Sequence, residues 1–127
     1  MRFMLFQNYY VEGLEPMSTW PPGDAKAHID FQNALNDELR ERGELVEAQA
    51  LTPDAKTVVH DGAGAPVVTD GPFPESKELL AGYRTVDVES PERAIEIAAR
   101  ASAAPGPGGH PIGMDIVVRE VMWQAEL

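Results

Sequence analysis

Apolar and polar positions along the chain follow two periods, one of two residues and one of three to four. The first is expected of strands and the second of helices. Together they predict two strand–helix–strand units with a hairpin between them. The predicted elements are strands at 2–10, 44–51, 82–88 and 112–123, helices at 24–42 and 90–102, and hairpin arms at 57–60 and 67–68.

The first predicted strand is apolar on both of its faces. A strand in a sheet with one wet face alternates apolar with polar side chains, and this one does not, so we expect it to be covered on both sides. The two sets are Phe3, Leu5 and Tyr9 on one face, and Met4, Phe6 and Tyr10 on the other.

The first predicted helix has one apolar stripe and a clear stop. At about 100° per residue, Phe31, Leu35 and Leu39 share a face, and Gly43 follows as the C-terminal stop. His28 lies in the same stripe, one turn earlier. The stripe therefore predicts that this histidine faces the interior.

The second helix carries the clearest start signal in the chain. Ser90 suits the N-cap, Pro91 the first helical position, and Glu92 the positive end of the helix dipole. The segment 103–111 that follows is rich in Pro and Gly, and is expected to be a flexible loop that cannot continue the helix. The predicted apolar stripe of the helix consists of Ala94, Ile95, Ala98 and Ala99.

This order of elements predicts an α+β fold with a ferredoxin-like (split βαβ) sheet and a hairpin insert, formed by one domain over residues 1–127. Such a sheet carries both helices on one face. The other face is also expected to be apolar, and a second copy of the chain would cover it, so we predict a homodimer built like an α/β barrel. The residues behind that expectation are Phe3 or Met4, Val86 with Val88, and Met114 with Ile116.

Charge and composition narrow the classes of partner. The formal net charge is −11, with ten basic residues scattered among 21 acidic ones, which disfavours nucleic acid and anionic membranes. No stretch approaches the roughly 20 apolar residues of a membrane span. There is no cysteine, and the chain starts without the pattern of a signal peptide, so a cytoplasmic location is expected.

The spacing of the histidines and glycines indicates neither a metal site nor a cofactor site. His28, His60 and His110 are far apart, with no paired spacing of the His-x-x-x-His kind. The glycines of the 103–111 loop are followed by neither Lys nor Ser/Thr and open no helix, so they are not a phosphate loop. We therefore expect no metal and no cofactor.

One segment resembles the signature of a known family. Asp70-Gly71-Pro72-Phe73, followed by Glu75, Lys77, Glu78 and Gly82, stands as in the DGPF-domain proteins, a branch of the YCII-like family. The resemblance implies a dimeric, ferredoxin-like α+β fold. It also implies a His–Asp pair in a cleft, with suggested enzymatic activity, and a gene that often lies beside one for a sigma factor of the extracytoplasmic-function type. The chain departs from the family pattern near its end, with the long 103–111 loop and with Arg119-Glu120 in place of an Arg-Pro pair.

The implied pair maps to His28 and Asp70. A carboxylate on one imidazole nitrogen fixes the tautomer and leaves the other nitrogen to move a proton. The alternatives are a core histidine with a satisfied hydrogen bond and an aspartate that caps its own turn. A small molecule bound near this pair would contact Gly71 and Phe73.

Two cations are candidates for holding an anionic ligand. Arg84 shares a predicted buried strand face with Val86 and Val88, where a guanidinium needs a carboxylate partner or an anion. Lys77 lies in a charged cluster with Glu75 and Glu78, which would either bind a polar molecule or form an ion-paired loop. Three functions stay open: an acid–base enzyme, a non-catalytic binding or accessory protein in sigma-factor-linked signalling, and a purely structural dimer.

Overall fold

Four antiparallel strands form the main sheet of the computed structural model, which describes residues 1–8, 11, 13–71 and 80–126. The strands are β1 Arg2–Asn8, β2 Leu45–Ala50, β5 Leu80–Asp87 and β6 Ile116–Glu120, and the separate hairpin consists of β3 Lys56–Val59 and β4 Val67–Asp70. Their order across the sheet is β2-β5-β1-β6. One extra residue of β5, opposite the step from Gln7 to Asn8, interrupts its ladder with β1, and one extra residue of β2, between Leu45 and Glu47, interrupts its ladder with β5.

Two helices, α1 (Pro22–Glu41) and α2 (Pro91–Ser102), complete the fold. Both contribute to a single core cluster with one face of the sheet, so they lie on the same side of it. The result is an α+β architecture whose strand order and directions are compatible with a ferredoxin-like fold, as predicted. The cluster contains Phe3, Leu5, Leu35, Leu39, Val86, Val88, Ala94, Ile97, Ala98 and Ala101.

The end of α1 is built as the sequence predicts. Gly43 adopts a left-handed φ of 74°, which costs little without a Cβ. Its amide donates to Arg40, and the amide of Glu44 donates to the carbonyl of Leu39, so two terminal carbonyls are satisfied. At the other helix, Ser90 caps the start of α2, with its Oγ accepting from the amide of Arg93 at 3.2 Å.

The apolar stripe of α2 is shifted from its prediction. Ile97 is fully buried, whereas Ile95 is 58% exposed and Ala99 is also exposed, so the prediction was wrong for Ile95 and Ala99. The buried positions are Ala94, Ile97, Ala98 and Ala101. These follow the spacing i, i+3, i+4, i+7 of one helical face.

The outer face of the sheet differs from the residues predicted for it. Phe3, Val86 and Val88 belong to the helix-covered core and Ile116 packs against it, so these four residues were wrongly assigned to the outer face. By alternation along the strands, the outer face carries Met4, Phe6, Tyr83, Thr85 and Val117. Met4 and Phe6 are half-buried and Val117 is 46% exposed, so an apolar surface does exist there.

The last strand and the loop before it also depart from expectation. β6 spans only Ile116–Glu120 of the predicted 112–123, and Trp123 beyond it is 78% exposed. The loop 103–111, expected to be flexible, contains a short 3₁₀ turn at Pro107–Gly109 and closes on itself. The amide of Gly106 donates to His110, and Pro105 and Pro111 form an isolated bridge.

Candidate functional site

A cavity of about 1110 Å³ opens between α1, the loop at 13–20 and one end of the sheet. Its walls combine apolar side chains with a polar row from α1. Within the described residues, the side chains that matter most for its chemistry are Trp20, His28, Gln32, Asn36 and Arg84.

Arg84 brings a positive charge to the wall of this cavity. It lies on the helix-covered face of β5 and is only 4% exposed, which confirms the predicted burial. Its Nε donates to Oδ1 of Asn36 at 2.8 Å, and its Nη2 donates to Oε1 of Gln32 at 2.5 Å. Burial lowers the pKa of Arg84 to about 10, because the protein withholds the water that would solvate the charged form. The group stays charged at neutral pH.

Gln32 connects Arg84 to His28. Because a guanidinium only donates, the Gln32 oxygen must face Arg84, and the amide nitrogen is then turned towards the imidazole. That nitrogen lies 3.4 Å from Nε2 of His28. A row of three polar groups therefore runs along the cavity wall.

His28 is held by the 103–111 loop. Its Nδ1 lies 3.0 Å from the carbonyl oxygen of Pro105, which can only accept. Nδ1 therefore carries the proton in the neutral ring, and Nε2 keeps its lone pair on the side of Gln32. The edge of the ring also packs against Trp20, with ring centroids 5.8 Å apart. Trp20 is anchored in turn by a 2.9 Å hydrogen bond from Nε1 to the carbonyl of Glu15.

The loop that supplies the Pro105 carbonyl is itself fastened to its surroundings. Asp24, in the first turn of α1, accepts from the amide of Gly108 at 3.0 Å. Ser102 donates its hydroxyl to the carbonyl of Met114 at 2.7 Å, and the amide of Ile112 donates to Ala104. His28 thus rests on a supported backbone group.

Asp70 lies at the end of β4, on the hairpin. Its carboxylate is 85% exposed and pairs with Lys56 across the hairpin. Gly71 follows with a φ of 81°, and its carbonyl accepts from the hydroxyl of Thr57 at 2.7 Å. Among the described residues that line the cavity, neither Asp70 nor Gly71 occurs, whereas His28 and Arg84 do. The other two predicted ligand contacts, Phe73 and Lys77, fall outside the described residues.

Comparison with known proteins identifies the family of this chain. The model of the YCII-related domain matches residues 1–107, which is most of the chain. The chain belongs to the YCII-related family. A relative in Rhizobium meliloti (strain 1021) is 30% identical over 97 residues, covering 75% of this chain and 78% of the relative, and is described as an uncharacterized protein.

Three residues of this YCII-related site were not predicted: Gln32, Asn36 and Pro105. The first two could have been found, because His28, Gln32 and Asn36 follow one another at intervals of four along α1. Polar side chains on an otherwise apolar stripe indicate a helix face that meets a polar cavity. The sequence carries no signal for the contact from Pro105, because every residue has a backbone carbonyl that could make it.

A second charged cluster of the YCII-related domain lies away from the cavity. Glu44 is 9% exposed and accepts from Nε and Nη2 of Arg93 at 2.9 Å each, and from Nε of Arg42 at 2.7 Å. These hydrogen bonds, those of Arg93 first, lower the pKa of Glu44 below its ordinary value of 4.5. With its charge fully paired, this cluster ties the end of α1 to the start of α2.

Two other features, a membrane-spanning helix and a metal-binding cluster, are absent from the described residues. No helix there is long and apolar enough to cross a membrane. No group of three or more His, Asp or Glu side chains within the same residues is arranged to hold a metal ion.

Proposed function

We propose that this YCII-related protein binds a small organic molecule in the cavity and acts on it by acid–base catalysis, with His28 as the proton-transferring group. One observation carries the proposal. Nδ1 of His28 donates its proton in a hydrogen bond to the carbonyl of Pro105, so Nε2 keeps its lone pair at the wall of a cavity large enough for a ligand, where a substrate would displace the long 3.4 Å contact from Gln32. An imidazole held in one tautomer is a suitable general base near neutral pH.

Asp70 enters this proposal through the resemblance to the DGPF signature. In it, the carboxylate assists His28 or contacts the substrate, and Gly71, Phe73 and Lys77 from the same segment contact the bound molecule. Because Asp70 is exposed and paired with Lys56, such a role requires the substrate or a second protein chain to draw the hairpin towards the cavity.

The same proposal includes a homodimer. The outer face of the sheet carries Phe6 opposite both Tyr83 and Val117, an apolar patch on an otherwise acidic protein. A second copy placed on this face would remove the patch from water by an isologous contact. Burial of apolar surface is the main driving force for such association.

The alternative function is a binding protein without catalysis, in the sigma-factor-linked role that the resemblance implies. The arrangement that favours it is the row from Arg84 through Gln32 to His28, whose polar groups would recognise a ligand equally well without moving a proton. In this alternative His28 contributes a hydrogen bond and nothing more.

A thermal-shift screen against a library of metabolites tests the proposal. Wild type is compared with His28→Gln and Asp70→Asn, and with His60→Gln as the matched control. His60 is exposed, and its hydrogen bonds with described residues stay within its own turn, to Gly62 and Gly64, so its loss should leave ligand stabilisation unchanged.

Turnover of the stabilising ligand then separates the two functions. Catalysis predicts that wild type converts the ligand and that His28→Gln binds it but loses at least about a hundredfold in rate, the usual scale of acid–base assistance. Binding without conversion by wild type favours the alternative. Stabilisation that is equal in wild type and all three variants would show that the ligand site lies elsewhere.

A further inference from the structure

We infer that the ligand of the cavity is a monoanion with an apolar body, of the carboxylate class, whose charged group binds Arg84. This rests on the proposal that the cavity is a ligand site, but not on catalysis by His28. It adds the substrate class and names the group that recognises it.

The first step is the missing counter-charge of Arg84. Both of its side-chain partners, Gln32 and Asn36, are neutral amides, and no Asp or Glu of the described residues forms an ion pair with it. A buried cation is costly unless an anion accompanies it. The contrast with Arg93 is direct, because that arginine is paired with Glu44 at 2.9 Å and with Glu96 at 3.1 Å.

The second step is the unoccupied end of the guanidinium. Nε and Nη2 of Arg84 are engaged, whereas Nη1 donates to no described residue. No fully buried side-chain nitrogen or oxygen in the described part of the chain lacks a hydrogen-bond partner, so Nη1 reaches accessible space. Since Arg84 lines the cavity, that space is the place for an anionic oxygen.

The third step is the count of charges around the cavity. Among the described lining residues, Arg84 is the one arginine or lysine, and Glu15 is negative. A phosphate dianion is normally held by several cations or by a row of backbone amides. One guanidinium in a protein of net charge −11 matches a single negative charge, and a carboxylate fits the planar fork of arginine.

The fourth step is the apolar part of the wall. The lining of the cavity also includes the apolar side chains Leu14, Met17, Trp20, Ile29, Ile112 and Met114. Met17 is 40% exposed and Ile29 47% exposed, so each has apolar surface that a ligand can still cover. The cavity of about 1110 Å³ accommodates a body of many carbon atoms beside the carboxylate.

Isothermal titration calorimetry with three eight-carbon probes tests the inference: octanoate, octan-1-ol and octyl phosphate. Wild type is expected to bind octanoate at least tenfold more tightly than either of the others. Equal affinity for octanoate and octan-1-ol would overturn the assignment of the charge to Arg84. Tighter binding of octyl phosphate would overturn the monoanion, and failure of octanoate to bind wild type at millimolar concentration would overturn the class.

Two variants test the residue itself. Gln32→Glu places a carboxylate where an oxygen already contacts Nη2, so it should occupy Arg84 and weaken octanoate binding at least tenfold without lowering the melting temperature. Asn36→Asp does the same at Nε and serves if the first variant folds poorly. The matched control is Gln124→Glu, which makes the same change at an exposed glutamine whose Oε1 accepts from Arg2 at 2.9 Å; Gln124 is not among the described residues that line the cavity, and the variant should change affinity less than threefold.

These outcomes separate this inference from the proposed function. If octanoate binds through Arg84 but His28→Gln leaves every turnover unchanged, the anion site stands and the acid–base proposal falls. If a neutral molecule is converted by His28 and octanoate does not compete with it, the acid–base proposal stands and the anion site falls. Octanoate binding that is equal in wild type, Gln32→Glu and Asn36→Asp would contradict the anion site alone.

Discussion

His28 and Arg84 contact opposite ends of the same side-chain amide, that of Gln32. Arginine has no acceptor, so Arg84 fixes which end of Gln32 is oxygen, and the remaining end can only donate to His28. The Pro105 carbonyl on the other side of the ring imposes the same tautomer independently. The two constraints agree, and they leave the imidazole one neutral form.

The tautomer of His28 can be measured directly. In the neutral ring we expect a protonated Nδ1 and an unprotonated Nε2, visible in the nitrogen chemical shifts of a long-range ¹H–¹⁵N correlation spectrum. His60 provides an internal control of the opposite kind, because its Nε2 donates to Gly64 and its Nδ1 accepts from Gly62. Identical tautomers for the two residues would contradict the hydrogen bonding described for His28.

Gly82 marks the closest approach between two strands at the cavity. A Cβ on this residue would lie 2.5 Å from the backbone oxygen of Gln49, so β2 would have to move away from β5. We expect Gly82→Ala to lower the free energy of unfolding by about 2 kcal/mol, a typical cost of overpacking. Urea denaturation measures this.

The matched control for that substitution is Gly23→Ala in the first turn of α1. A Cβ there meets nothing within 4 Å, and its backbone is helical. It should raise the free energy of unfolding by about 0.5 kcal/mol, through the reduced entropy of the unfolded chain. An equal loss in both variants would point to a general intolerance of alanine and not to the contact at Gln49.

Glu44 should make the stability depend on pH in the acid range. Its pKa is lower in the folded chain than its ordinary 4.5, so its contribution is complete above pH 4.5 and is lost as the pH falls through the lowered value. We expect Glu44→Gln to cost about 2 kcal/mol at neutral pH, since it leaves the partly buried Arg93 short of its main partner. In urea denaturation, the difference in the free energy of unfolding between wild type and Glu44→Gln should become smaller at pH values well below 4.5.

The control for this pH dependence is Glu41→Gln, the exposed last residue of α1, three positions before Glu44. Surface substitutions usually change stability by less than about 0.5 kcal/mol. A difference between wild type and Glu44→Gln that stays constant from neutral to acid pH would show that Glu44 acts through packing and not through its charge.

The homodimer predicts a specific sensitivity of the outer face of the sheet. Val117→Lys places a charge on the edge strand β6, opposite Phe6 of the apolar patch, and should convert dimer to monomer in sedimentation experiments. The control is Ile95→Lys on α2. Ile95 is 58% exposed, comparable to the 46% of Val117, and this variant should remain a dimer. A wild type that sediments as a monomer at high micromolar concentration would refute the dimer.

Much of this fold is predictable because its signals are local. Gly43 and Ser90 end and begin helices by rules that involve only neighbouring residues, and the stripe of Leu35 and Leu39 follows from helical period alone. The burial of Arg84 was predicted from the apolar strand face that it shares with Val86 and Val88. Each of these signals is contained in a short window of sequence.

The remaining features depend on contacts between distant parts of the chain. Phe3 and Val86 were assigned to the wrong face of the sheet, because a strand that is apolar on both faces does not reveal which one the helices cover. The His28–Pro105 contact spans 77 positions and uses a backbone group that every residue possesses. Such pairings become visible only when the chain is folded.

The contact from Pro105 makes the tautomer of His28 depend on the connection between α2 and β6. A chain in which this connection were too short to place a carbonyl beside the ring would leave a histidine on α1 free to exchange tautomers. Insertions and deletions between α2 and β6 would then change the state of a ring that they never touch. The length of a surface connection would thus fix or release a side chain on the wall of the cavity.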